Sequence, residues 1–133
     1  LLLPLFSFSQ TFDELMTINS EDTFKKVVIE NDYEFYQEED GVIVYGWKLD
    51  GDNAQMWGNY NKNKNDVIFQ FSQNWIYGHR DEFKEITSEI KSRCEYYRIN
   101  EKWAAYKCPE SSNEFGFQTA DDAGYVYIKL VRE

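Results

Sequence analysis

Residues 125–130, Tyr125-Val126-Tyr127-Ile128-Lys129-Leu130, alternate an apolar set (Val126, Ile128, Leu130) with a second set (Tyr125, Tyr127, Lys129). A period of two is the mark of a strand with one face buried. The stretch Val67-Ile68-Phe69-Gln70-Phe71-Ser72 repeats the pattern, with Val67, Phe69 and Phe71 inward and Ile68, Gln70 and Ser72 outward. One-sided alternation belongs to an antiparallel sheet with one face on a core and one face open.

Working outward, turn-forming clusters punctuate the chain at 38–41, 50–53, 61–66, 100–101, 109–113 and 121–124. Asp, Asn, Gly and Ser tolerate the backbone geometry that turns demand. The runs between them are rich in Val, Ile, Tyr, Phe and Trp and read as eight strands. These cover 33–37, 42–49, 54–60, 67–72, 94–99, 103–108, 114–119 and 125–131. A helix is expected from Glu21 to Asn31, with Ser20 as N-cap and Phe24, Val27 and Val28 on its apolar stripe. A shorter helical turn, Phe12–Met16, precedes it. Another helix is expected from Asp81 to about Arg93, with Phe83, Ile86 and Ile90 on one stripe.

The order is therefore α-ββββ-α-ββββ, one α+β domain over 11–133 with both main helices on one face of a mostly antiparallel sheet. The halves, 20–72 and 81–131, match as an internal repeat. Phe24-Lys25 matches Phe83-Lys84, Glu34-Phe35-Tyr36 matches Glu95-Tyr96-Tyr97, and Tyr45 matches Tyr106. Trp57-Gly58 is set against Phe115-Gly116, and Val67, Phe69 and Phe71 against Val126, Ile128 and Leu130. In this element order the chain resembles the β-lactamase inhibitory protein family over residues 12–133. That resemblance implies tandem α/β repeats joined in one eight-stranded sheet, whose concave aromatic face grips a partner enzyme. It carries over no functional residue. In texture the chain is also similar to small exported proteins of Bacteroidota.

The first ten residues, Leu1-Leu2-Leu3-Pro4-Leu5-Phe6-Ser7-Phe8-Ser9-Gln10, read as the end of a signal peptide. Ser7 and Ser9 are the small residues at −3 and −1, and cleavage would leave Gln10 first. Export suits the two cysteines. Glu95 to Ile99 and Trp103 to Lys107 read as a hairpin. Pairing Ile99 with Trp103 sets Glu95 against Lys107, Tyr96 against Tyr106, and Cys94 opposite Cys108, in reach of a disulfide.

With 24 acids and 14 bases the net charge is −10, which disfavours nucleic acid and anionic membrane surfaces. No apolar run is long enough to span a bilayer. The single histidine, His79, has no Gly-x-Ser-x-Gly nucleophile to serve, and with two cysteines it cannot complete a tetrahedral zinc shell without carboxylates, at a spacing that matches no ligand box. Asp50-Gly51-Asp52-Asn53 reads as an Asp-Gly turn rather than a calcium loop. No enzyme, cofactor or metal is expected.

Aromatics are the anomaly, with 4 Trp, 10 Tyr and 10 Phe. Trp47 and Trp103 suit strand packing. Trp75, Tyr77 and His79 in the connector, with Gln70, Tyr125 and Tyr127 on the open face, are the candidate binding residues. The reading is an exported, non-enzymatic binding or inhibitor-like module whose partner is a protein, with a basic one favoured by the net charge of −10. The alternatives are an immunity protein neutralising a basic toxin, and a small-ligand or carbohydrate binder using Trp and Tyr as stacking platforms.

Overall fold

The computed structural model describes residues 10–71, 79–100, 103–111, 113–119 and 124–130. Helices α1 (Phe12–Met16) and α2 (Glu21–Glu30) lead into strands β1 (Tyr33–Glu39), β2 (Val42–Trp47), β3 (Met56–Asn61) and β4 (Asp66–Phe71). Helix α3 (His79–Arg93) leads into β5 (Glu95–Asn100), β6 (Trp103–Lys107), β7 (Asn113–Thr119) and β8 (Gly124–Leu130). All eight strands form one antiparallel sheet in the order β1-β2-β3-β4-β8-β7-β6-β5. The α+β class and the single sheet agree with the expectation from sequence.

Each helix starts where its chemistry allows. In α2 the Ser20 hydroxyl accepts from the Thr23 N–H at 3.2 Å, and the Thr23 hydroxyl accepts from the Ser20 N–H at 2.9 Å. That reciprocal pair satisfies two amides the helix leaves without partners. Thr11 and Glu14 cap α1 in the same way. Phe24, Val27 and Val28 then fall on one buried stripe of α2, and Phe83, Ile86, Thr87 and Ile90 on one buried stripe of α3.

Both stripes cover the same sheet face. Phe24 lies 5.5 Å from the Tyr60 ring, 6.0 Å from Tyr45 and 6.2 Å from Phe69, while Phe83 meets Phe71 at 5.4 Å. Val67, Phe69, Phe71, Val126 and Ile128 are all buried, as the alternation requires. Helix α1 closes the core, with Phe12 against Phe115 at 5.2 Å. Arg93 holds α1 in place: it pairs with Asp13 at 2.6 Å and Glu110 at 2.8 Å, and lies over the Phe12 ring.

The two four-stranded units carry one rung in common. In the first, Phe35, Tyr45, Gly58 and Phe69 pair in turn across β1 to β4; in the second, Tyr96, Tyr106, Phe115 and Ile128 pair across β5 to β8. The rings at each outer end meet edge to face, Phe35 with Tyr45 at 5.6 Å and Tyr96 with Tyr106 at 5.4 Å. A bulge follows at the same place in each, leaving Tyr36 and Tyr97 as the extra residues. The β4–β8 seam pairs Val67 with Ile128, Ile68 with Tyr127, and Phe69 with Val126. With the Phe69 and Ile128 rungs equated, that register is symmetric about the Ile68–Tyr127 pair.

Two details of the sequence reading are corrected. The position equivalent to Phe115 is Gly58, not Trp57, because a one-residue slip would put an outward ring on the inner face. A Cβ on Gly58 would lie 3.0 Å from the Phe69 ring and 3.3 Å from Val28. The side chain is missing there because its neighbours already fill the space. In the second hairpin, Glu95 does oppose Lys107 and Tyr96 does oppose Tyr106, but Trp103 pairs with Asn100 rather than Ile99. The bulge at Tyr97 consumes the difference. Cys94 and Cys108 sit just outside the unslipped part of the ladder and are bonded, with a Cα separation of 4.2 Å.

Candidate functional site

Among the described residues the helices leave one sheet face uncovered, and its composition follows from strand alternation. In β3, Met56, Gly58 and Tyr60 are buried, so Trp57, Asn59 and Asn61 stand on the other side. In β4, Asp66, Ile68 and Gln70 do the same. Val42, Asn59, Asn61, Lys64, Asp66, Ile68, Gln70 and Trp103 together line a recess of about 470 Å³. That volume lies in the range of small-molecule sites. Gln70, expected from sequence to face this side, lines it. Asn59, Asn61, Asp66 and Trp103 also line it and were not singled out as binding residues. The alternation of 56–61 was the available signal, obscured by a glycine at the central inward position.

The polar groups of the recess are partly committed. Asn59 donates to the Ile68 carbonyl at 3.4 Å. The Asn61 side-chain Oδ1 accepts from the backbone amides of Asn63 and Lys64, which fixes the β3–β4 turn. Asp66 is different: its Oδ1 is buried with no hydrogen-bond partner. Burial lifts its carboxyl above the usual carboxylate range, while Lys129 and Lys64 pull it back.

The sign of that shift gives a prediction. The folded chain holds the Asp66 proton to higher pH than the unfolded chain does. Stability therefore falls as pH rises from the unfolded value, about 4, through the raised folded one, and the whole penalty is present at neutral pH. Asp66→Asn should raise the urea midpoint at pH 7 and converge with the unmodified protein near pH 3. Equal midpoints at both pH values would show that Asp66 is solvated.

Across the rest of this side, charges alternate along one row. Asp66 pairs with Lys129, Lys129 with Glu114, Glu114 with Lys107, and Lys107 with Glu95. Opposite charges directly across a ladder support register and leave the row nearly neutral. By position in the chain the acidity is concentrated in the first half, where residues 10–52 hold twelve acids and three bases. The bulges also bring aromatic area. Tyr36 lies 5.0 Å from Trp57, edge to face, and donates to Asp52 at 2.9 Å, while Lys107 lies 5.0 Å over Tyr97. Gly46 makes room for the Trp57 indole, since a Cβ there would stand 3.1 Å from it.

The remaining expected residues are distributed as follows. The backbone of Tyr125 pairs with Gln70 and that of Tyr127 with Ile68, but their side chains lie outside the described residues. Trp75 and Tyr77 lie outside the described residues, and so does the side chain of His79, whose backbone opens α3. Trp47 is core, at 4% exposure. Trp103 is half-buried and belongs to the recess, not simply to strand packing.

A second recess, about 250 Å³, lies between α1 and α3 and is lined by Gln10, Asp13, Glu82, Glu85, Glu89 and their apolar neighbours. Among the described residues no group of three or more His, Cys, Asp or Glu is placed to hold a metal ion, and no helix is long and apolar enough to cross a membrane. The chain matches no protein-family model, and no curated protein or solved structure is found similar to it.

Proposed function

We propose that this protein is an exported, non-enzymatic binding module that takes its ligand on the uncovered sheet face, and that the ligand is a neutral, hydroxyl-rich one of the carbohydrate class. The lining of the 470 Å³ recess carries this reading. Amide side chains both donate and accept, which suits hydroxyl groups, and Asp66 adds a carboxyl group to the lining. Trp103 offers an apolar plate for the C–H face of a sugar ring. The row beside the recess alternates three acids with two bases, so it carries little of the net charge of −10. The disulfide supports export to an oxidising compartment.

The test is a soluble oligosaccharide panel followed by calorimetry on the best binder. Trp103→Ala should weaken binding by about 30-fold, roughly 2 kcal/mol, with the unfolding midpoint little changed. Unaltered affinity in that variant, or no binding by any member of the panel, would remove the proposal.

A second reading, contact with a protein partner, rests on a different observation. Ile29, Phe35, Tyr96 and Ile99 are large and between 50% and 68% exposed. Phe35 and Tyr96 pair with inward-facing Tyr45 and Tyr106, so they lie on the helix side of the two sheet edges, away from the recess. Losses confined to Phe35→Ala and Tyr96→Ala would place a protein partner there.

A further inference from the structure

Gln10 is a polar residue with almost no exposure, 3%, at the point where the helical cap of α1 begins. Its Oε1 accepts from the Tyr33 hydroxyl at 2.5 Å, and its Nε2 is buried with no partner. Rotating the amide does not cure this, because the oxygen would then be the end left alone. A buried amide with one end unpaired is costly. The side chain that fits this place is one with a carbonyl oxygen for Tyr33 and no terminal NH₂.

We propose that Gln10 is a modification site: it becomes the amino terminus of the exported chain and closes to pyroglutamate. The inference rests on the export reading, since the Ser7-Phe8-Ser9 pattern puts the cleaved bond between Ser9 and Gln10. Hydrolysis of that bond by water frees the α-amine of Gln10. The amine nitrogen then attacks Cδ, a C–N bond forms within a five-membered ring, the Cδ–Nε2 bond breaks, and Nε2 leaves as ammonia. Nothing is oxidised or reduced and no further reactant is needed. The product keeps a carbonyl oxygen as an acceptor and loses the orphaned NH₂.

Two further features agree. Cyclisation removes a positive α-ammonium that would otherwise stand beside the N-terminus of α1, an unfavourable place for a cation. The Thr11–Glu14 capping box lies wholly after Gln10, so cleavage leaves it intact. Because Gln10 is buried in the fold, closure belongs to the newly cleaved chain before α1 docks.

The experiment is intact-mass and N-terminal peptide analysis of the protein purified from the exporting cell's exterior or periplasm. The expected N-terminal peptide starts at residue 10, is lighter by one ammonia than the open form, and resists Edman degradation. Pyroglutamyl aminopeptidase should release the residue from the unfolded chain and not from the folded one. Gln10→Asn, which cannot close the same five-membered ring, should give an open amino terminus after the same cleavage. A chain that retains residues before Gln10 would overturn the export reading beneath the proposal. A chain cut at Gln10 with an open amine and full mass would overturn the cyclisation while leaving export standing.

Discussion

Phe24→Ala should cost about 3–5 kcal/mol of stability, read as a fall in the urea midpoint with an unchanged slope. Phe24 has no exposed surface and is the only α2 side chain whose ring meets three others, Tyr45, Tyr60 and Phe69. Those rings come from three different strands, so they cannot collapse together into the space the ring vacates. A cavity is then added to the lost transfer energy. For a domain with ~5–15 kcal/mol in total, this is a large share. Phe35→Ala is the control, since Phe35 is 55% exposed and meets Tyr45 edge to face. If both substitutions cost the same, α2 is not packed on the sheet as described.

Removing the Cys94–Cys108 bond should cost about 3 kcal/mol, because the cysteines are 14 positions apart and a loop of that order is closed in the unfolded chain. Alanine is the right replacement at Cys108, which is 3% exposed and packs in the core. The loss should also be uneven. β5 is an edge strand, and its inward residues Tyr96 and Ile99 are 50% and 68% exposed, so the strand gains little from helix cover. Its anchors are the ladder to β6, the disulfide, and the Cys94 amide donating to the Ile90 carbonyl at 2.9 Å. Amide exchange in 95–100 should therefore quicken in the double Cys→Ala variant before the rest of the sheet responds. Uniform acceleration across the sheet would show that the bond acts on the unfolded chain alone.

Parts of the fold were legible in the residues and parts were not, according to how far apart in the chain the interacting groups lie. Alternation in 67–71 and 125–130 declared a one-sided sheet because side chains flip faces at every step. The stripes Phe24-Val27-Val28 and Phe83-Ile86-Ile90 declared the helices that cover it. The hairpin register that set Glu95 against Lys107 also brought Cys94 to Cys108, although its Ile99–Trp103 pair slips by one at the bulge. All of these are local periodicities or short hairpins, where sequence distance and spatial distance nearly coincide.

Other features depended on contacts between distant segments. The joining of β4 to β8 sets the order of the sheet, and it pairs residues about sixty positions apart that no turn connects. Gly58 reads as a strand weakness until Val28 and Phe69 are seen to occupy its side-chain space. Tyr36 and Tyr97 read as ordinary strand residues until two bulges spend them. The recess gathers Trp103 from β6 with Asn59 and Asp66 from β3 and β4, and only the joining of the two units could assemble that set. Sequence by itself thus determined which residues face the core, because facing is a matter of local period. Which outward residues meet to make a site was decided by the tertiary structure, because that depends on the order in which strands lie side by side.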